Sequence, residues 1–228
     1  MQTLMAIDRD LLAFFNGSDS LFLDNLVVNL TSGLTWIPLY LSLLYVVIKN
    51  NETMKQIMLI IGCVCLCLVI SDGVVDFLVK PLAGRFRPSH DPFIKYSVSV
   101  VDGLRGTKYG FFSAHASNTF CIVMFFSLLV RNKVFVMAMT LWSLINCWTR
   151  MYLGLHYPSD ILVGLLWGGL VGAVVYYIYI KSYLRMYPDF NYISSQYTST
   201  GYNRSDIDIV LLVLALTLLF TVIKALIV

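Results

Sequence analysis

The sequence predicts an all-α fold: a polytopic membrane protein with six transmembrane helices in one bundle and a short N-terminal interfacial helix. Three observations carry that expectation. Of the 228 residues, 58% are hydrophobic and 13% charged, a balance too apolar for a soluble domain of this size. The mean hydropathy of +0.77 is spread along the whole length, which means several spans rather than a lone anchor. The apolar residues also fall into runs of roughly 20, the length that crosses a hydrocarbon core as a helix. No internal repeat, low-complexity tract or second domain interrupts the pattern, so residues 1–228 read as a single membrane-embedded domain. The net charge of +3 is small and gives no reason to expect a nucleic-acid partner.

In order along the chain, residues 1–15 carry Asp8, Arg9 and Asp10 where a cleavable leader needs a basic segment and a long apolar core. The stretch Leu11, Leu12, Phe14, Phe15 reads instead as the interfacial helix. Asn16, Gly17 and Ser18 supply turn chemistry. A first span is expected from Leu23 to Ile48, kinked at Gly33 and Pro38, and after the polar loop Lys49–Lys55 a second runs to about Val79. This second span carries Asp72, Asp76 and Lys80 at intervals of four, hence on one slowly rotating face. Asp76 is expected to pair with Lys80 one turn on, and Asp72 to take a hydrogen bond from a neighbouring helix.

Residues 81–112 form a basic loop holding Arg85, Arg87, Lys95, Arg105 and Lys108 against Asp91 and Asp102. Arg85 and Arg105 are expected to be solvated loop charges, with steering of anionic headgroups as the alternative, and His90 a structural residue. A third span is expected from Ala114 to just before Arg131, a fourth from Val134 to Trp148, a fifth from Ser159 to Ile180, and a sixth over the last twenty residues. Gly164, Gly168, Gly169 and Gly172 let the fifth approach a neighbour closely. The tyrosines at 176, 177, 179, 183 and 187 are expected at the membrane interface, with Trp142 and Trp148 in packing and belt. The five cysteines lie inside apolar runs and read as small buried hydrophobes rather than a disulfide framework or metal site.

The short loops set the topology. Lys49, Lys55, Arg131, Lys133, Lys181, Arg185 and Arg204 fall in connections that six spans place together, on the side expected to be cytoplasmic. Residues 80–113 and 149–158 then share the opposite face with both termini. A bacterial-type plasma (inner) membrane, with the polar clusters on the extracytoplasmic, periplasmic side, is the expected setting.

Three clusters meet on that face: KPLAGRFRP (80–88), FFSAHASN (111–118) and TRMYLGLHYPSD (149–160). Lys80, Arg87 and Arg150 are cations converging at a membrane surface, and guanidinium forks match phosphate oxygens two at a time. Ser113 stands where the third span starts, so it caps that helix and leaves the backbone N–H groups of Ala114 and His115 turned toward an anion. Together these residues describe a phosphate cradle. Two histidines accompany it. His156 and Asp160 are four apart, so a helix extended back one turn from Pro158 would turn the carboxylate toward the imidazole, fix its tautomer and leave the other nitrogen free to attack phosphorus. His115, with no carboxylate near it in sequence, suits proton transfer to the leaving oxygen. The cations and helix ends neutralise transition-state charge, so no metal or other cofactor is called for.

Lys80-x6-Arg87-Pro88, then Ser113-x-His115, then Arg150-x5-His156-x3-Asp160 resembles the three-part signature of the type 2 phosphatidic acid phosphatase superfamily, related to vanadium-dependent haloperoxidases. The three parts cover about a tenth of the chain, and their order and spacings match throughout. Phe112 and Ala114 stand where the family usually has proline and glycine, and Thr149 where serine precedes the arginine. The resemblance implies a six-helix membrane phosphatase in which Lys80, Arg87, Ser113 and Arg150 bind the phosphoryl group, His156 is the nucleophile, Asp160 its partner and His115 the acid. Among lipid phosphates, undecaprenyl pyrophosphate is the first expected substrate, with lipid A (as a 1- or 4'-phosphatase) and phosphatidylglycerophosphate as alternatives. Membrane lipids are the expected surroundings, without an obligate protein partner. A transporter of anionic lipid using the same cations without turnover is the alternative from a different class. It would call for helix breaks repeated in two halves, and Gly33 and Pro38 have no counterpart.

Overall fold

A computed structural model describes residues 2–186 and 195–227, with side chains from residue 5 onward; Tyr187, expected at the interface, lies outside them. The described residues are helical, with isolated bridges only at Phe86–Tyr109 and Tyr197–Asn203. In order the helices are α1 (Gln2–Phe15), α2 (Leu21–Thr31), α3 (Ile37–Lys49), α4 (Met54–Ala83), α5 (Ala114–Val130), α6 (Lys133–Tyr152), α7 (Pro158–Met186) and α8 (Arg204–Ile227).

Side-chain caps start most of them. Ser20 Oγ accepts from Leu23 N at 3.4 Å to open α2, and Thr53 with Gln56 forms a reciprocal capping box on α4, at 3.3 and 3.0 Å. Asn132 Oδ1 accepts from Phe135 N at 3.1 Å to open α6, directly after Arg131 has turned the chain in a left-handed conformation. Gly84, at φ +56°, ends α4 where a side chain would be strained. The last turns of α4, Val74–Val79, widen to π-helix just ahead of Lys80.

Helices α4, α7 and α8 are each long and apolar enough to cross a membrane, and α2 with α3 makes a fourth span if the pair is one broken helix. The chain is a membrane protein. The break differs from the expected kink: α2 ends at Thr31, a short 3₁₀ turn covers Gly33–Trp36, and the two helices meet at 66°. Pro38 falls in the first turn of α3, where its missing N–H costs nothing. The expected third and fourth spans appear as α5 and α6. Neither meets both length and hydropathy: α5 has 17 residues, and α6 buries Ser143, Asn146 and Thr149.

The tightest seam joins α5 to α7. A Cβ on Gly164, Gly168 or Gly172 would fall 2.7, 2.2 or 2.7 Å from the carbonyl oxygens of Ser113, Ser117 and Cys121, so only hydrogen allows this approach. Tyr176, Tyr179 and Tyr183 depart from expectation: they are buried in a ladder against Phe125, with Tyr179 at 6.0 Å from Phe125 and 5.7 Å from Tyr183. Their spacing of three and four residues puts them on the inward face of α7, while Tyr177 faces outward. Trp142 packs edge-on against Trp36 at 5.7 Å in the same core. Four cysteines are buried and free as expected, but Cys65 is exposed, because alternate positions diverge around a helix.

Hydrogen bonds gather the loops at two ends. At one, Asn50 Oδ1 accepts from Asn203 N at 2.7 Å, Thr200 Oγ1 reaches Val130 O at 3.2 Å, and Gln56 reaches the Tyr183 hydroxyl at 3.2 Å. At the other, Ser89 N donates to Gly154 O at 3.2 Å, and Asn16 Nδ2 donates to Tyr152 O at 2.7 Å and Ser99 O at 3.0 Å. The basic loop, residues 153–157 and α1 therefore share one end, as the loop pairing read from the sequence requires.

Candidate functional site

Arg87 is the hinge of that second end. Its main-chain N–H donates to Lys108 O at 3.1 Å, and Gly110 passes so close that a Cβ there would fall 2.8 Å from Arg87 Cγ. The side chain, 8% exposed, sends Nη1 to Leu155 O at 3.0 Å and to His156 Nε2 at 2.9 Å, and Nη2 to Thr107 Oγ1 at 3.3 Å. Guanidinium groups only donate, so Nε2 of His156 must be the accepting, unprotonated nitrogen and the ring proton resides on Nδ1. Burial depresses the His156 pKa well below its usual value, and the positive charges of Arg87, Arg150 and Lys80, with His115 beside them, push it further down.

Asp160 completes this arrangement in a way the spacing alone misread. The helix begins at Pro158 and does not extend back to His156, because Gly154, at φ +62°, and the following residues fold onto Arg150 O, where Leu155 N and His156 N donate at 3.0 and 3.3 Å. Asp160 is instead the third residue of α7, and its Oδ2 accepts from Tyr157 N at 3.0 Å. The same oxygen faces His156 Nδ1 at 3.6 Å, within ion-pair reach and beyond a hydrogen bond, and Nδ1 has no hydrogen-bond partner. Nor is the opposite nitrogen free, since Arg87 occupies it.

The remaining expected residues fall at the same end. Ser113 is fully buried; its Oγ caps α5 by accepting from Ala116 N at 3.4 Å, and its N–H donates to Asp160 O at 3.1 Å. Ala114 follows it, buried, and His115 is exposed one residue further on. Arg150, at the end of α6, is half-buried and its Nε lacks a hydrogen-bond partner, as does Nε of Arg87. Lys80 makes the expected pair with Asp76, and Asp72 accepts from Asn118 Nδ2 at 2.9 Å as foreseen. Thr149, fully buried, is spent on Asn146 O at 2.7 Å and Thr31 Oγ1 at 3.2 Å. Two guanidinium Nε atoms without partners, beside an imidazole carrying a lone pair, make a site suited to a tetrahedral oxyanion. Among the described residues no three His, Cys, Asp or Glu side chains are placed to hold a metal ion.

Two loop cations differ from expectation. Arg105 is tied into the loop, with Nη1 on Ser89 O at 3.1 Å and its own carbonyl accepting from Ser89 Oγ at 3.1 Å. Arg85 is not a solvated charge at all: Nη1 donates to Asp160 Oδ1 at 2.8 Å and Ser159 Oγ at 2.7 Å, Nη2 to Asp8 Oδ2 at 2.5 Å, and its plane lies over the Tyr157 ring at 4.3 Å. No local pattern signals this, because Asp8 and Asp160 lie 77 and 75 residues away from it.

Below His115 a cavity of about 420 Å³ opens between α3, α4 and α5. Apart from His115, Asn118 and Thr119 near its top, its walls are almost wholly apolar, among them Leu43, Val47, Ile60, Val64, Ile122 and Phe126.

The profile of the PAP2 superfamily matches residues 60–184, more than half of the chain and all three clusters. The chain is 36% identical to the lipid A 4'-phosphatase of Bacteroides thetaiotaomicron over 83% of its own length and 84% of that protein, and 34% identical to the lipid A 4'-phosphatase of Porphyromonas gingivalis over 79% and 76%. It is 30% identical to the lipid A 1-phosphatase of Rhizobium etli over 58% of each chain. No solved structure matches it significantly. With the matched segment spanning the buried arginine–histidine–aspartate cluster and the helices that carry it, the chain belongs to the PAP2 superfamily and is a membrane phosphatase.

Proposed function

We propose that the protein removes the 4'-phosphate of lipid A. The observation that carries the reading is the apolar cavity that opens at His115 beside the cationic cluster: the cluster suits a phosphate, and the cavity suits the acyl chain of the same molecule. Relatives matched over more than three quarters of both chains are lipid A 4'-phosphatases, which favours lipid A over undecaprenyl pyrophosphate.

In this reading Lys80, Arg87 and Arg150 hold the phosphoryl oxygens, joined by the capped N-terminus of α5 at Ser113 and Ala114. Arg87 Nη1 exchanges the Nε2 lone pair for a phosphoryl oxygen, and Nε2 attacks phosphorus in line. The bond from phosphorus to the sugar oxygen breaks as His115 passes a proton to that oxygen, while Asp160 supports the charge that grows on the His156 ring. Water then gives a proton back to His115 and displaces phosphate from the phosphohistidine. Six spans fit this scheme, with α2–α3 as one broken span, α5 inside the bundle, α6 on its flank with Met137 and Leu141 turned outward, and α1 lying along the interface. The reacting end then faces the periplasmic side of a bacterial inner membrane, and the cations replace any metal.

Purified protein offered 1,4'-bisphosphorylated lipid A, undecaprenyl pyrophosphate and phosphatidylglycerophosphate should release phosphate fastest from lipid A, and tandem mass spectrometry should find the 4' position empty. Faster release from either other lipid would overturn the substrate and leave the phosphatase standing.

A further inference from the structure

We propose that Asp8 and Arg85 are positioning residues for the reaction, acting through Asp160, so that the N-terminal helix is a working part of the site. The inference rests on the reading of His156 as nucleophile and Asp160 as its partner.

A fully buried carboxylate needs both oxygens satisfied and an opposite charge close by. For Asp160, one oxygen faces Tyr157 N and the His156 ring, and the other is held by Arg85 Nη1 at 2.8 Å. The 3.6 Å separation from Nδ1 leaves Asp160 without a hydrogen bond to fix its angle to the imidazole. The angle is therefore set by what grips the carboxylate from behind. Arg85 can grip it in one orientation because its fork has a second anchor, Asp8 Oδ2 at 2.5 Å, and because its Cζ sits over the Tyr157 ring, 4.3 Å from the centroid.

Asp8 also reaches the start of α7 directly, accepting from Ser159 N at 2.9 Å and Ser159 Oγ at 2.5 Å, one residue before Asp160. It is 7% exposed, although it belongs to a helix whose Phe14 is 83% exposed. The next residue of α1 joins a second branch that ends on the same carboxylate. Arg9 Nη2 donates to Asp91 Oδ2 at 3.1 Å, the Tyr157 hydroxyl donates to the same oxygen at 2.7 Å, and Tyr157 N is the group that holds Asp160 Oδ2. Burial would raise the Asp91 pKa, but the donors Tyr157, Phe93 N and Arg9 outweigh it and hold the value low, so this branch stays charged. Helix α1 is itself pinned by Asn16, whose side chain bonds both Ser99 and Tyr152, and by buried Leu12. Two adjacent residues of one docked helix thus converge, by separate routes, on the carboxylate behind the nucleophile.

The test compares Asp8→Asn, Asp8→Glu, Arg85→Lys, Asp160→Asn and the Asp8→Asn/Asp160→Asn double variant, full-length, on the lipid that the substrate panel selects. Asn at position 8 keeps an acceptor for Ser159 N and puts an NH2 donor, which Ser159 Oγ can accept, where Oδ2 took Arg85 Nη2, so the anchor of Arg85 is lost while the docking of α1 on α7 is kept and the unfolding midpoint should stay near wild type. The kcat of Asp8→Asn and of Arg85→Lys should fall on the order of 10–100-fold, the usual loss when a group orienting a reacting side chain is removed, with KM within about twofold. Asp8→Glu should recover part of the loss, and the double variant should be no slower than Asp160→Asn alone. Wild-type kcat in both Asp8→Asn and Arg85→Lys, or losses that multiply in the double variant, would overturn the proposal. Failure of the parent reading looks different: His156→Ala would then keep its turnover whatever Asp8 does.

Discussion

At the scale of single residues, the geometry ties reactivity to charge around His156. Its Nε2 is the accepting nitrogen opposite Arg87, so the group proposed to attack already has the correct tautomer. Burial and the surrounding cations hold its pKa well below 6.5, so the ring stays neutral as pH falls through that value. The acid limb of kcat/KM should accordingly lie below pH 6.5; a tenfold fall between about pH 6.5 and 5.5 would mean an ordinary imidazole governs the rate. Stability carries the same sign: below about 6.5 the unfolded chain binds a proton that the folded one refuses, so His156 lowers stability progressively as pH falls and contributes no pH dependence above that value. His156→Ala should abolish phosphate release from a folded protein, and Asp160→Asn should slow it roughly 10²–10⁴-fold with binding retained, as when orienting carboxylates are neutralised in other histidine-based catalysts. Retained turnover in His156→Ala, measured beside an unchanged unfolding midpoint, would remove it as nucleophile.

At the scale of elements, the seam between α5 and α7 decides whether the site exists. Ser113 caps one helix, Asp160 lies in the first turn of the other, and the backbone hydrogen bond between them joins the start of α5 to that of α7. Gly168 permits that approach, since a Cβ would sit 2.2 Å from Ser117 O. Gly168→Ala should therefore destabilise the protein by roughly 1–3 kcal/mol, the usual cost of overpacking, and reduce activity with it. Gly62→Ala is the control: nothing lies within 4 Å of its Cβ, so gaining helix propensity should leave the unfolding temperature unchanged or raise it. Equal midpoints for the two variants in detergent would show that the seam is looser than the backbone distances indicate. Much of this level was legible from periodicity and caps. The glycine spacing announced a close contact, and α5 runs over the same residues, Ala114–Val130, that the apolar run and Ser113 suggested. The tyrosines of α7 were misplaced because a wall of aromatic rings looks alike whether it faces lipid or a neighbouring helix; packing against Phe125 decided it.

At the scale of the whole molecule, loop pairing separates a reacting end from an end built by Asn50, Thr200 and Tyr183. If the reacting end is periplasmic, a cysteine at Tyr96, 91% exposed in the basic loop, should react with a membrane-impermeant maleimide in intact cells, and one at exposed Lys133 only after permeabilisation, with the native cysteines replaced. The reverse pattern would invert the topology. What the amino-acid order determined by itself was composition, the approximate helix limits, the two-ended loop arrangement and the three charged clusters, because each depends on residues within a turn or two of one another or on hydropathy summed over a span. Only the folded chain decided how Asp160 meets His156, that Arg87 holds Nε2, and that Arg85 and Asp8 stand behind the carboxylate. Those contacts join positions up to 77 residues apart, and the cost of burying an unpaired charge, which selects them, is felt only once the helices have closed around the site.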